Sequence, residues 1–155
     1  MVKKLSAAAV IGALYAALTL LLSPISFGVM QIRVSEALCA FALITPAAIP
    51  GLTVGCFLAN IIGPGGIADA LLGSAATLFG CWLMYLLRGR PLLAPLCNCV
   101  SNGVIVGLML YYTSGVCISP LLCILWVAAG ELIACYALGY PLYRYLSKHH
   151  KELGL

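Results

Sequence analysis

Four acids, one isolated arginine and three asparagines are the groups in this chain best able to do chemistry, because nearly everything between its two ends is apolar. Glu131 lies near the middle of a long apolar run, where a charged side chain costs about 2.5–3.5 kcal/mol on insertion scales. A ligand or an internal partner must offset that cost; the plainer alternative is a protonated glutamate hydrogen-bonded to a neighbouring helix. Asp69 opens another apolar run, so it is either a binding group or a first-turn acid held by the helix dipole. Arg33 and Glu36, spaced i,i+3, read either as an interfacial ion pair or as the rim of a binding site. Glu152 sits in a polar tail and reads as a solvated charge. Among the amides, Asn60 and Asn102 could present donor and acceptor together to a planar heterocycle, whereas Asn98, close to the start of its apolar run, reads as structural. Trp126, about one turn from Gly130 and Glu131, could stack on such a ring or simply pack between helices.

Several chemistries are excluded by what these residues stand among. There is no G-x-x-x-x-G-K-[ST], since every lysine lies in a terminal segment, and no H-E-x-x-H or G-x-S-x-G. The chain therefore does not hydrolyse ATP by itself. Its histidines are His149 and His150, both in the C-terminal tail, which leaves carboxylates as the acid–base groups available inside the apolar runs. The eight cysteines (39, 56, 81, 97, 99, 117, 123, 135) contain no C-x-x-C pair and read as small packing residues rather than as disulfides or metal ligands. No cofactor and no metal is called for, and nothing points to an enzyme.

The elements that must position these groups follow from composition. Of 155 residues, 64% are hydrophobic and 8% charged, with 16 glycines, which excludes a soluble globule. Residues 5–22 exceed the apolar core of a signal peptide and read as a retained first span. No charge occurs from Ala37 to Ala68, but Pro46 and Pro50 divide that stretch into two short segments, 34–48 and 49–62. Gly63-Pro64-Gly65-Gly66 is a loop, and further runs cover 68–87, 91–112 and 119–145. Pro91 suits a first helical turn, and Ser119-Pro120 reads as N-cap and first turn.

The expected architecture is an all-α integral membrane protein, a six-helix transmembrane bundle forming a single membrane domain over 1–155. With six segments, Lys3, Lys4, Arg88, Arg90, Arg144, Lys148 and Lys151 fall on one side and Arg33 alone on the other. Basic residues near span ends stay cytoplasmic, so both termini are expected there; the net charge of +4 is thus a matter of topology and not of nucleic acid. Tyr140, Tyr143 and Tyr145 inside and Tyr111 and Tyr112 outside fit interfacial belts facing lipid headgroups.

Small residues recur at helical spacing in the first span. Ala9, Ala13 and Ala17 form one stripe, with Ala8, Gly12 and Ala16 beside it, a surface wide enough for an inner neighbour and an outer partner at once. Gly103 and Gly107 offer another close-contact seam within the bundle.

The stretch Q-I-R-V-S-E-A-L (31–38), then T-P-A-A-I-P-G-L (45–52), G-C-F-L-A-N (55–60) and D-A-L-L-G-S-A-A-T-L (69–78) resembles the QueT family, the likeness running from residue 5 to about 145. These are substrate-binding S components of energy-coupling factor (ECF) transporters, associated with queuosine precursors. The resemblance implies a multi-pass protein of the bacterial cell membrane that captures a 7-deazaguanine from outside. It also implies partners: a transmembrane coupling subunit, contacted through an A-x-x-x-A pattern that Ala9, Ala13 and Ala17 match, and two ATPase subunits. A deazaguanine has a guanidine-like edge that pairs with a carboxylate, and Glu36, Asp69 or Glu131 could supply it. Glu36 and Asp69, with Arg33 and Asn60 nearby, are the favoured outer contacts, and Glu131 a deeper one.

Other readings carry different expectations. An S component for another vitamin-like compound would keep the architecture and change the ligand. An ion-coupled homodimeric carrier would use Glu131 to bind and release a proton, and a non-transporting scaffold would leave the intramembrane acids unexplained.

Overall fold

The computed structural model describes residues 2–28, 30–115 and 119–149. Glu152, Lys151, His150 and Cys117, assigned above to the polar tail and to packing, lie outside the described residues. The described residues form seven helices and no strand. These are α1 (Val2–Leu21), a single turn α2 (Ser23–Ser26), α3 (Val34–Leu43), α4 (Ala48–Ile62), α5 (Gly66–Leu86), α6 (Ala94–Ser114) and α7 (Pro120–His149). Four of them, α1, α5, α6 and α7, are long and apolar enough to cross a membrane.

Local chemistry explains where these helices differ from the six expected. Ser23-Pro24 starts a separate turn, with the proline in its first-turn position, instead of merely ending α1. The second segment does not run from 34 to 48 as an α-helix. It is a 3-10 helix of 10 residues that stops at Leu43, before Thr45-Pro46, because a residue preceding proline is pushed out of the helical region. Pro50 falls within the first turn of α4, where its missing N–H would have had no intrahelical partner, so it starts that helix and does not break it. Likewise α6 begins at Ala94 with Pro95 in its first turn, while Pro91 remains in the preceding turn. Ser119 caps α7, its hydroxyl accepting from the Leu122 N–H at 3.3 Å. Cys123, beside that cap, is disulfide-bonded, so the packing reading of the cysteines fails at this position. Cys39, Cys56, Cys81, Cys97, Cys99 and Cys135 are free thiols.

At the α1–α4 crossing the two backbones touch. A Cβ on Gly51 would overlap the Ala8 carbonyl, one on Gly55 the Gly12 carbonyl, and one on Gly12 the Gly51 carbonyl. Ala8 and Gly12 are accordingly buried against α4, whereas Ala9, Ala13 and Ala17 are exposed and Ala16 is half-buried. Beside the crossing runs an apolar groove of about 400 Å³ lined by Ala9, Ala13 and Ala16 of α1 and Pro50, Val54 and Leu58 of α4. On its other face α1 sends Ile11, Tyr15 and Thr19 inward, toward α3. The 3-10 helix is buried nearly all round, packed between α1, α5 and the second half of α7. Elsewhere α6 packs on α5 and along the first half of α7, and the outward Leu, Ile and Val side chains of each long helix remain exposed.

Gly51→Ala should therefore destabilise the detergent-solubilised protein by about 1–3 kcal/mol through overpacking against Ala8, while Ala13→Leu on the open side of α1 should leave its thermal transition within the error of the wild type. Equal tolerance of both changes in a melting series would refute the crossing.

Candidate functional site

The charged residues converge because α3 is a 3-10 helix. At three residues per turn, positions i and i+3 eclipse, so Arg33 at its N-cap, Glu36 and Cys39 stand in one line facing the bundle interior. Arg33 does not pair with Glu36, as its i,i+3 spacing allows. Its Nη2 instead donates to both carboxylate oxygens of Asp69 on α5, at 2.8 Å each, with both side chains almost wholly buried. An eclipsed neighbour on a short, tight helix leaves the long guanidinium free to reach across, and Asp69 is not left to the helix dipole alone. The Phe27 ring lies 5.6 Å from the guanidinium and covers it.

Two wide turns bring α5 and α7 into phase with this line. Asp69 and Thr77 are eight residues apart, about 80° out of phase on a regular α-helix, but Asp69–Gly73 is π-helical and the wider turn returns both to the interior face. A Cβ on Gly73 would come within 2.9 Å of Asp69 Oδ1 and 3.0 Å of Asn60 Nδ2, so only a glycine leaves room for the cluster there. In α7 a second π-helical stretch, Ile133–Gly139, follows Glu131 and keeps Cys135 and Gly139 inward as well.

A continuous polar column results. Asn60 Nδ2 donates to the Asp69 carbonyl at 2.9 Å. The Cys56 thiol sits within 3.7 Å of Arg33 Nη1 and 3.5 Å of Thr77 Oγ1, and Thr77 reaches Glu36 Oε1 at 3.4 Å. Glu36 also accepts from the Tyr15 hydroxyl and from the Cys39 thiol at 3.0 Å. Asn98 Nδ2 then donates to Glu36 Oε2 at 2.9 Å and to Glu131 Oε2 at 3.3 Å, joining α3, α6 and α7 through one amide. The column thus begins beside the α4–α5 turn and ends in the middle of the bundle.

Of the residues singled out by sequence, Arg33, Glu36, Asn60, Asp69 and Glu131 are brought together by bonds or shared neighbours. Asn102 is buried one turn along α6 from Asn98. Trp126 is not part of the cluster: it is 39% exposed on the outer surface of α7 and has no stacking face to offer the column. Five residues that sequence reasoning does not assign to a site belong to the column: Tyr15, Cys39, Cys56, Thr77 and Asn98. Tyr15 carries a signal, since a tyrosine in mid-span is too deep for an interfacial belt. Asn98 carries one too, four residues from Asn102 on the same face.

Several polar atoms in this interior have no hydrogen-bond partner: Arg33 Nε, Asn60 Oδ1, Asn98 Oδ1 and Asn102 Nδ2. Buried donors and acceptors are normally paired, so these are groups with binding capacity to spare. Beside Glu36 a void of about 10 Å³, also lined by Met84, Cys135 and Gly139, has room for about one water and not for an organic ligand. Phe27, Met30 and Gln31 close the Arg33 end of the column. Phe27 packs against Gly63 and Gly65, the Met30 carbonyl is seated on Gly130 so tightly that no Cβ would fit, and Gln31 is buried at φ +43. With these unpaired atoms the column has the capacity to hold a polar, hydrogen-bonding guest away from water.

The profile of the QueT transporter family matches residues 5–148. No curated protein and no solved structure matches the chain.

Removing one partner of the buried Arg33–Asp69 pair leaves an uncompensated charge, so Arg33→Met should lower stability by about 3–5 kcal/mol. Combining it with Asp69→Leu should recover part of that loss. A double-mutant cycle that came out additive would mean the two groups are not coupled.

Proposed function

The chain belongs to the QueT transporter family and is a multi-pass membrane transport protein, and on that premise we propose that it is the substrate-binding S component of an ECF-type importer. In this reading it captures a 7-deazaguanine queuosine precursor at the outer face of the cell membrane, and a transmembrane coupling subunit with two ATPase subunits drives uptake. Six crossings carry it, α3 and α4 being short ones of 10 and 15 residues. Both termini lie in the cytoplasm, as do Arg88 and Arg90. The disulfide at Cys123, at the opposite end of the bundle from that basic loop, supports this orientation, because disulfides persist on the oxidising side.

The observation that carries the reading is the buried column, in which carboxylates stand among asparagine amides that have unpaired atoms. Glu36 takes the guanidine-like edge of the ligand, Asn60 and Asn102 address its carbonyl and ring nitrogens, and Glu131 is the deeper contact. Asp69 serves through Arg33, which it holds in place at the outer end. The void beside Glu36 is too small for the ligand, so Phe27, Met30 and Gln31 move aside for entry and close over the bound molecule. On the outer face of α1, Ala9, Ala13 and Ala17, with the groove against α4, are the seat of the coupling subunit, since small residues let two backbones approach in lipid.

Titration of the purified chain with a panel of deazapurines and vitamins should find deazaguanine binding that Glu36→Gln weakens by about 2–5 kcal/mol without loss of folding. Unchanged affinity in both Glu36→Gln and Glu131→Gln would remove the column from the ligand site. Ala13→Trp should leave ligand binding by the isolated chain near normal and abolish ATP-dependent uptake by the assembled complex. Full uptake in cells without any partner ATPase would reject the S-component reading.

A further inference from the structure

We propose that the outward groove between α5 and α6 holds one acyl chain of an anionic phospholipid, whose phosphate is gripped by Arg88 and Arg90 where the two helices connect. The proposal is independent of the ligand site, which lies on the inward side of the same two helices.

The groove has a volume of about 420 Å³ and apolar walls: Phe79 and Leu83 of α5 on one side, Leu96, Val100 and Val104 of α6 on the other, with the half-buried Cys97. It offers nothing to a polar guest. Ser101 brings a hydroxyl to the lining, but that hydroxyl donates to the Ala76 carbonyl at 2.9 Å and ties α6 to α5. Gly80 lets the two helices meet, since a Cβ there would overlap the Asn98 side chain. Hydrocarbon suits such a lining, and a hydrogen-bonding molecule does not. Leu96 and Val104 are separated by about 12 Å along α6, which is most of the ~15 Å depth of one leaflet.

A chain alone would be held no better than any lipid at the protein surface; the basic connection makes the difference. Leu83 is in the last turn of α5 and Leu96 in the first turn of α6, so the segment carrying Arg88 and Arg90 lies at that mouth of the groove. Leu86, Leu87, Leu92 and Leu93 flank the two arginines and are exposed, which sets the guanidinium groups at the depth where hydrocarbon meets headgroups. Both arginines are themselves exposed. The carboxylates among the described residues, Glu36, Asp69 and Glu131, are buried in the column, so none of them can neutralise this pair. Arg88 is already positioned: its guanidinium lies 4.3 Å over the Tyr85 ring, and its Nη1 donates to the Tyr85 carbonyl at 3.1 Å. The other N–H groups of Arg88 and those of Arg90 are left to donate, and planar guanidinium forks match the oxygens of a phosphodiester. A zwitterionic headgroup brings its own ammonium beside the phosphate and loses most of this attraction; an anionic one keeps it.

The test is native mass spectrometry of the intact, delipidated chain in detergent. It is titrated with phosphatidylglycerol, with phosphatidylcholine of the same acyl chains, and with glycerol 3-phosphate as a headgroup without chains. One phosphatidylglycerol should bind about 30-fold more tightly than phosphatidylcholine, which is about 1 kcal/mol for each of two arginines near a lipid phosphate. Arg88→Gln combined with Arg90→Gln should reduce that preference to about threefold or less. Val100→Trp, which fills the groove and displaces about two methylenes, should weaken phosphatidylglycerol about tenfold with both arginines in place. All three side chains are exposed, so the thermal transition should report an intact fold; if Val100→Trp unfolds, Val104→Trp tests the same wall. Equal binding of the two lipids overturns the proposal, as does a preference that survives loss of both arginines. Displacement of the lipid by glycerol 3-phosphate would place binding in the connection alone and refute the groove. A dimer that Val100→Trp dissociates would give this face to a second copy of the chain and refute it as well.

Discussion

A charged or hydrogen-bonding side chain inside a lipid-facing bundle must be solvated by the protein itself, and the interior of this chain is arranged around that requirement. Three carboxyl groups, a guanidinium and three asparagine amides occupy a space from which water is excluded. Each has neighbours suited to it: Asp69 holds Arg33, Asn98 holds Glu36 and Glu131, and the thiol of Cys56 links the two groups. Helix type follows from the same demand. A regular α-helix would have turned Thr77 away from Asp69, and would have set Glu36 about 60° from Arg33 around the axis. The 3-10 helix and the π-helical turns supply the phases that α-helical geometry withholds.

This is also why the fold is more legible in the sequence than the site. Spans, loops and small-residue stripes depend on composition and on proline and glycine, all visible in one dimension. Glu131, Arg33, Glu36 and Asp69 stand out because charge is rare here, and their rarity alone marks them as partners of something. Which partner each takes is hidden. Reading Arg33 with Glu36 assumes α-helical neighbours on a helix that is not α-helical. Reading Asn98 as a structural end residue assumes that distance along its own helix measures depth, whereas the opposing π-helical stretch of α7 and the short α3 bring Glu131 and Glu36 to it. A stacking role for Trp126 follows from sequence proximity to Glu131, but five residues on a helix place the two on different faces.

The first helix divides its surface in the same economical way. Ala8 and Gly12 are consumed by the crossing with α4, Ile11, Tyr15 and Thr19 serve the interior, and Ala9, Ala13 and Ala17 are left outward. One helix therefore reaches the polar column through Tyr15 and an outer groove through Ala13, with a glycine-locked contact between them. The two faces are joined by backbone contacts too close to admit a Cβ at Gly12, Gly51 or Gly55.

The 3-10 form of α3 has a mechanical side. Ten residues at about 2.0 Å each make a rod about 20 Å long, where the α-helical form of the same residues would be about 15 Å. The difference of about 5 Å is an axial stroke available through backbone hydrogen bonds alone, since each N–H would only trade one carbonyl for the next. Arg33 and Glu36 lie at one end of this rod and Pro46 anchors the turn at the other, so any change in its winding reads out as travel of the two charged side chains relative to Asp69 and Asn98.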